Sequence, residues 1–250
     1  IVTCCTNTGA AFPFTDGNIT GTARDSLSVI TGVTNPSHSV ANYILYLRGD
    51  RTNELTSASG FYRQRDHLLG DVVNSKLTTV GAPNFPYFDL YNPGYSAFKR
   101  TYANRPTVVY VGANDGMMHA FDGTVTDAAP CTSVLTTPSN ACGKELFAYV
   151  PSFVFGNAAT GRLTGLASLG TPSSFVHHFM VDATPVTSDV DFFNTPSPTA
   201  LTNDWRTILV GGLGKGGKGY YAIDVTDPST WTSEANVASN VLWEFTNPHM

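Results

Sequence analysis

The alternation of apolar and turn-forming positions is clearest in Thr107–Gly123, TVVYVGANDGMMHAFDG. Val108, Val109 and Val111 are β-branched and flank Tyr110, Gly112–Gly116 is a run of turn formers, and Met117–Phe121 resumes an apolar strand. This pattern predicts a tight β-hairpin. Asn114-Asp115-Gly116 can supply the positive φ values that such a turn needs, at little steric cost. The same plan returns in Thr207–Asp224, TILVGGLGKGGKGYYAID: an apolar strand, a glycine-rich turn, and an aromatic strand closing on Ala-x-Asp. A preceding strand is predicted for each copy, at Gly70–Gly81 and at Val181–Val190, and a closing strand at Gly143–Pro151 and at Asn240–Pro248. Each repeat then has four strands, the plan of a propeller blade with long loops and a recurring glycine–aromatic signature. The expected fold is therefore an all-β propeller made of four-stranded antiparallel blades with long insertions. A blade cannot bury both faces alone, so two blades call for more chain or a partner to complete them.

Between and before these strands the periodicity changes. Val40, Tyr43, Ile44 and Leu47 fall at i, i+3, i+4 and i+7, a helical stripe that Ser37 or Ser39 can cap and Gly49 can end. Residues 1–69 thus read as an irregular lead-in with a helix near 38–48, followed by about two blades over 70–250 (70–151 and 178–248). Pro151–Ser174, with Phe153, Val154, Phe155, Leu163, Leu166 and Leu169, reads as a partly helical excursion joining the blades. Three variable insertions, 82–105, 124–142 and 191–204, belong on the surface, where chain length costs little. The first is the most aromatic, and Tyr87, Phe88, Tyr91, Tyr95, Phe98 and Tyr102 are its candidate partner-contact residues, since exposed aromatics make good anchors. The plainer alternative is that they pack the loop onto its blade.

Composition narrows the class. Only 13% of the 250 residues are charged, which suits β-structure with long connections better than helical bundles. The net charge of −5 and fourteen scattered basic residues argue against nucleic acid as a partner, because phosphate binding needs clustered Lys and Arg. No apolar run reaches the roughly eighteen residues of a membrane span, and no signal-peptide pattern opens the chain. The chain begins at Ile1 rather than Met, so a mature, processed protein or an excised fragment is expected. Of the four cysteines, Cys131 and Cys142 are spaced to close a short polar loop and are the candidate disulfide, pointing to an oxidising compartment. Adjacent Cys4 and Cys5 can form a vicinal disulfide, bridge elsewhere or stay reduced.

Several stretches invite sharper chemistry. Gly211–Gly219, with Lys215 and Lys218, has the look of a phosphate loop, yet such a loop must open a helix, and Tyr220–Asp224 is strand-like. A hairpin turn is the better reading. Asp115 and His119 imitate an acid–base pair but sit at a turn and a strand position with nothing to place them on a common substrate, so structural use is favoured. His177 and His178 would lie on opposite faces of a strand, against joint metal ligation. Asp122 and Asp224 are expected to accept backbone hydrogen bonds in the turns that follow. Arg48-Gly49-Asp50 reads as a helix terminus rather than a recognition tripeptide, and Arg63, Arg65, Asp66 and His67 as a hydrogen-bonded corner rather than a catalytic cluster. Asn18-Ile19-Thr20 matches the glycosylation acceptor pattern, which arises often by chance.

VYVGANDGMMHAFD (109–122), GKELFAYVPS (143–152), WRTILVGGLGKGGKGYYAIDVTD (205–227) and VLWEF (241–245), with YLRGDR (46–51), FYRQR (61–65) and LGDVVNS (69–75) ahead of them, closely resemble the C-terminal β-propeller of the PilY/PilC family of type IV pilus-associated adhesins and assembly factors. The resemblance covers roughly residues 38–248. It implies a modified quinoprotein-like propeller, non-enzymatic, exported through the periplasm to the cell surface or pilus tip. There it would act in pilus assembly, retraction, twitching motility and adhesion, with pilin, minor pilins and a host or surface receptor as partners. The family's calcium loop has no counterpart here: Asp189-Val-Asp191 offers two carboxylates, whereas calcium takes six to eight oxygens. No cofactor or metal is therefore expected in this segment. The rival reading is a periplasmic PQQ-type quinoprotein dehydrogenase, which shares blade wording. Against it, the cysteine pair precedes the first blade instead of sitting within the array.

Overall fold

The computed structural model describes residues 1–6, 9–28, 35–56, 59–123, 143–156, 165–172, 175–193 and 203–246. Its frame is two antiparallel meanders. In the first, β3 (Thr78–Val80), β4 (Val108–Gly112), β5 (Met118–Asp122) and β6 (Glu145–Val150) pair in sequence order. In the second, β7 (Val186–Asp191), β8 (Trp205–Gly212), β9 (Gly219–Asp224) and β10 (Val241–Thr246) do the same. Both hairpins lie where the repeated pattern predicts them. Glycine-rich Gly211–Gly219 is a hairpin turn, with one short 3-10 turn at Gly214–Gly216 and no helix opening from it.

The upstream strands are shorter than the pattern suggests. Of Gly70–Gly81 only Thr78–Val80 joins the ladder. The preceding residues bond across to the second repeat instead: Asn74 donates to both carboxylate oxygens of Asp182, the Lys76 amide to Thr184 Oγ1, and Thr78 Oγ1 to the Pro185 carbonyl. The lead-in is also more than irregular chain. β1 (Val2–Thr3) runs parallel to β6, and β2 (Phe12–Pro13) pairs with β1, so the first sheet has six strands in the order β2-β1-β6-β5-β4-β3. Parallel pairing needs a long crossover, and the lead-in returns to this sheet edge from far away in sequence.

Helix α1 (Gly21–Ser28) and helix α2 (Val40–Leu47) pack on each other. Ser39 caps α2, its hydroxyl accepting from the Asn42 amide at 3.1 Å, and the buried Tyr43, Ile44, Tyr46 and Leu47 are its core face. Tyr43 and Tyr46 stack at 5.7 Å, and Tyr62 closes on both at 5.2 and 5.0 Å. The Tyr43 and Tyr46 hydroxyls reach the carbonyls of Leu166 and Leu169 in α4 (Leu166–Leu169). Arg48 at the end of α2 ion-pairs with Glu234 at 2.6 Å, at the start of α5 (Glu234–Ala238). The corner after α2 is built on fully buried Glu54, which takes Arg65 Nε at 2.7 Å and Arg51 Nε at 3.1 Å. Arg65 also donates to the carbonyls of Tyr46 and Asp50.

The two sheets pack face to face. Tyr149 and Tyr221 meet at 5.0 Å, and Glu244 of β10 accepts from the Tyr149 hydroxyl, the Ser152 amide and the Ser152 hydroxyl. Arg105 reaches across to Thr207 Oγ1 at 2.7 Å and the Thr226 carbonyl at 3.1 Å while holding the Gly81 carbonyl of its own repeat. The backbones come close enough that a Cβ on Gly112 would stand 2.4 Å from the Val181 carbonyl oxygen. The opposite face of the second sheet carries exposed Val186, Val190, Tyr220, Trp243 and Phe245, the apolar surface that a blade presents to a neighbour.

Gly112→Ala is expected to lower stability by about 1–3 kcal/mol through overpacking at this seam. The control Gly17→Ala, where a Cβ meets nothing within 4 Å, should stay within about 0.5 kcal/mol. Urea unfolding of both variants checks the difference.

Candidate functional site

Two features stand out from the framework: the aromatic insertion after β3, and a cavity at the turn of the first hairpin. The insertion folds around Trp205 at the start of β8. α3 (Tyr95–Thr101) brings Tyr95 and Phe98 against its indole at 4.9 and 6.4 Å, and Tyr87 packs at 5.7 Å. Trp205 Nε1 donates to the Pro93 carbonyl at 2.9 Å. The Tyr95 hydroxyl donates to Asp189 Oδ2 at 2.6 Å and accepts from the Phe85 amide at 3.0 Å. Burial first, then this carboxylate, pushes the Tyr95 pKa well up, so the phenol is a neutral donor.

This packing divides the six candidate contact residues. Tyr95 and Phe98 are 0% and 7% exposed and are withdrawn from any contact surface, because α3 turns them onto Trp205. Tyr87 and Tyr102 are half-buried. Phe88 and Tyr91 stand 71% and 80% exposed, joined by Leu90 at 81%, a residue that a search for aromatics passes over. Beside them lies a groove of about 340 Å³ between the insertion and β7, lined by Tyr87, Tyr91, Pro93, Val190, Asp191 and Trp205. Exposed Phe192 and Phe193 follow Asp191 in the next turn.

Neither aspartate of Asp189-Val-Asp191 is idle. Asp189 is buried and takes the hydroxyls of Tyr95 and Thr207, while Asp191 accepts from the amides of Phe193 and Asp204. Asp224 accepts from the Thr226 amide and hydroxyl, the turn role expected for it. The candidate pair Cys131 and Cys142, and the insertion 124–142 around them, lie outside the described residues. Cys4 and Cys5 form a vicinal disulfide.

The second feature centres on His119 of β5, which is 5% exposed. Its Nε2 lies 3.1 Å from both oxygens of Asp115 in the hairpin turn, and its Nδ1 lies 2.5 Å from Glu145 Oε1 in β6. Burial alone would lower the imidazole pKa. The Asp115 charge and hydrogen bond, and then Glu145, override it and raise the value to about 9, so at neutral pH the ring is an imidazolium clamped between carboxylates. Asp115 also accepts from the Gly70 and Met117 amides.

Sequence reasoning missed Glu145, and the reason lies in the ladder. β5 and β6 pair His119↔Ala148 and Ala120↔Phe147, then shift register so that Phe121 faces Glu145. A bulge of this kind adds one residue to one strand and moves Glu145 onto the His119 face. His119, Asp115 and Glu145 line a cavity of about 450 Å³, which also takes in Arg63, Asp71 and His177. His177 and His178 are not in a strand, and His177 pairs with Asp71 at 2.9 Å, so the face argument based on strand alternation does not apply to them. The Arg63 guanidinium lies 4.0 Å over the Phe175 ring. Asn114, at the turn, donates to Asp71 and accepts from the Met180 amide, joining the hairpin to the start of the second repeat. These contacts bind three chain segments together.

Two four-stranded antiparallel meanders, packed face to face and repeating one hairpin plan, are successive blades of a β-propeller. The family model described as the PilY1 beta-propeller domain matches residues 69–247, and the chain belongs to that family. Among relatives, a type IV pilus biogenesis factor PilY1 homolog of Xylella fastidiosa (strain Temecula1 / ATCC 700964) is 37% identical over 238 residues, covering 89% of this chain and 17% of the relative. Type IV pilus biogenesis factor PilY1 of Pseudomonas aeruginosa (strain PAK) is 37% identical over 206 residues, covering 80% of this chain and 14% of the relative. This chain thus spans less than a fifth of the length of these relatives. The crystal structure of the Pseudomonas aeruginosa PilY1 C-terminal domain matches at a TM-score of 0.38 and 33% identity, over 67% of this chain and 25% of that one. Among the described residues, no helix is long and apolar enough to cross a membrane.

The raised His119 pKa carries a pH signature. A group whose folded pKa lies above its unfolded value of about 6.5 adds stability that is complete below that pH and is lost as pH rises through about 9. His119→Gln should therefore be less stable than the parent by about 3 kcal/mol at pH 6, with the gap shrinking steadily towards pH 9.5. Urea midpoints across that range measure it.

Proposed function

We propose that this chain is the propeller portion of a type IV pilus biogenesis factor, and that it works without catalysis as a rigid platform for binding. The names of its relatives support the pilus role. The observation that carries the platform reading is the exposed rim Phe88, Leu90 and Tyr91, raised on a loop whose Tyr87, Tyr95 and Phe98 are packed onto Trp205. Apolar side chains held out by a rigid support lose little freedom on binding, which is how a hot-spot cluster is prepared.

In this reading the partner is a pilin or minor pilin during assembly and retraction, or a surface receptor during adhesion, and the protein acts at the cell surface on the pilus. The neighbouring groove beside Val190 and Trp205, with Phe192 and Phe193 on its flank, extends the contact surface on the second blade. His119 and its carboxylates serve the frame, tying the turn of the first hairpin to β6. No cofactor is needed in this segment for that role.

The test is a triple substitution, Phe88→Ala, Leu90→Ser and Tyr91→Ala, in the full-length protein. Because these side chains are exposed, stability should change by no more than about 0.5 kcal/mol per site, leaving Tyr95, Phe98 and Trp205 in place. Surface piliation and attachment should fall at unchanged protein level. Wild-type piliation and attachment would remove the rim from the contact surface.

A further inference from the structure

The vicinal Cys4–Cys5 disulfide sits where three parts of the fold converge. Thr3, just before it, ends β1 against β6 and donates its hydroxyl to the Val150 carbonyl at 2.7 Å. Ser152 follows β6, and Glu244 of β10 comes in from the second sheet. One sulfur from each cysteine and one carboxylate oxygen of Glu244 lie within 4.8 Å of one another, the only such trio of metal-capable side chains among the described residues. The carboxylate is fixed in place by the Tyr149 hydroxyl at 2.6 Å, the Ser152 amide at 2.7 Å and the Ser152 hydroxyl. A cavity of about 710 Å³ opens beside the cysteines, with Asn18, Thr20, Ser26 and Ser152 in its wall. Each of these features is what a metal site needs. Thiolates select soft or borderline cations, a held carboxylate supplies a third ligand, its hydrogen bonds orient it, and the cavity leaves a fourth position for water.

We propose that Cys4, Cys5 and Glu244 form a redox-gated site for a thiophilic divalent cation of the zinc or cadmium type, closed as the disulfide and opened by reduction. An external dithiol breaks the Cys4–Cys5 bond, giving two electrons and two protons and becoming a cyclic disulfide itself. The two thiols then lose their protons as both sulfurs bond to the cation, and Glu244 supplies an oxygen. The bound cation ties the end of β1 to β10, replacing a local link between neighbouring residues with one that joins the two sheets. A cyclic disulfide of the same dithiol class, taking up two electrons and two protons as it opens, re-forms the Cys4–Cys5 bond and so expels the metal, because a disulfide sulfur has no charge to offer it.

The experiment uses Cys131→Ser/Cys142→Ser protein, so that Cys4 and Cys5 are the only thiols among the four cysteines. It is titrated with cadmium before and after reduction by a non-thiol phosphine, with alkylation and intact mass confirming the dithiol, and circular dichroism following the fold. The reduced protein should bind one cadmium per chain with a thiolate-to-metal absorption band, and the oxidised protein should show no band. Glu244→Gln should keep the band and weaken binding about tenfold. Cys5→Ser should lose the band. A folded, reduced protein without the band would overturn the proposal. So would equal cadmium binding before and after reduction, an undiminished affinity in Glu244→Gln, or unfolding on reduction that cadmium does not reverse, since each shows that the three ligands do not converge on one ion.

Discussion

The structure hangs on how closely two backbones approach at the seam between the sheets. Gly112 of the first sheet faces the Val181 carbonyl of the second repeat at a separation that leaves no room for a Cβ. Dense packing of this kind makes dispersion contacts numerous and tolerates little change in shape. It also brings polar backbone of both repeats into low dielectric, where each group needs a partner. The seam provides them: Asn114 takes Asp71 and Met180, Arg105 takes Gly81, Thr207 and Thr226, and Asp182 takes Asn74. Much of what a first reading sees as chemistry in this chain is this requirement being met.

Charge is handled by the same rule. Glu54 is wholly buried, a costly position unless the carboxylate is paired and hydrogen-bonded, and Arg65 and Arg51 meet it while Arg65 also donates to the carbonyls of Tyr46 and Asp50. His119 takes the opposite part, a buried cation between Asp115 and Glu145. In both cases the ion cluster fastens a loop to a strand or helix. Such clusters fix one arrangement of the chain because removing either partner strands a charge in the interior.

The aromatic insertion shows how a framework prepares a surface. Trp205 is a fixed point on the second sheet, and Tyr87, Tyr95 and Phe98 gather on it. Once these are committed, the geometry of the loop leaves Phe88, Leu90 and Tyr91 outside. The aromatics on Trp205 anchor the loop, and the anchoring is what holds Phe88, Leu90 and Tyr91 out.

The amino-acid sequence by itself determined the hairpins, the repeat and the helix over Val40–Leu47, because strand alternation, turn glycines and a capped helical stripe are local and act over a few residues. Family membership was legible for the same reason, in long motifs such as Val109–Asp122. The burial of Tyr95 beside the exposure of Tyr91 was decided only by tertiary structure, since both are tyrosines in one loop and only Trp205, far along the chain, separates them. Glu145 reached His119 through a bulge that no residue type announces, and β1 joined β6 through a parallel pairing whose partners are remote in sequence. The shortening of the first strand to Thr78–Val80 has the same origin: Asn74 and Lys76 found better partners on the second repeat than on their own ladder. Local propensity is encoded residue by residue, whereas burial, register and charge pairing depend on which distant segment arrives, and that is set by the packing of the two sheets.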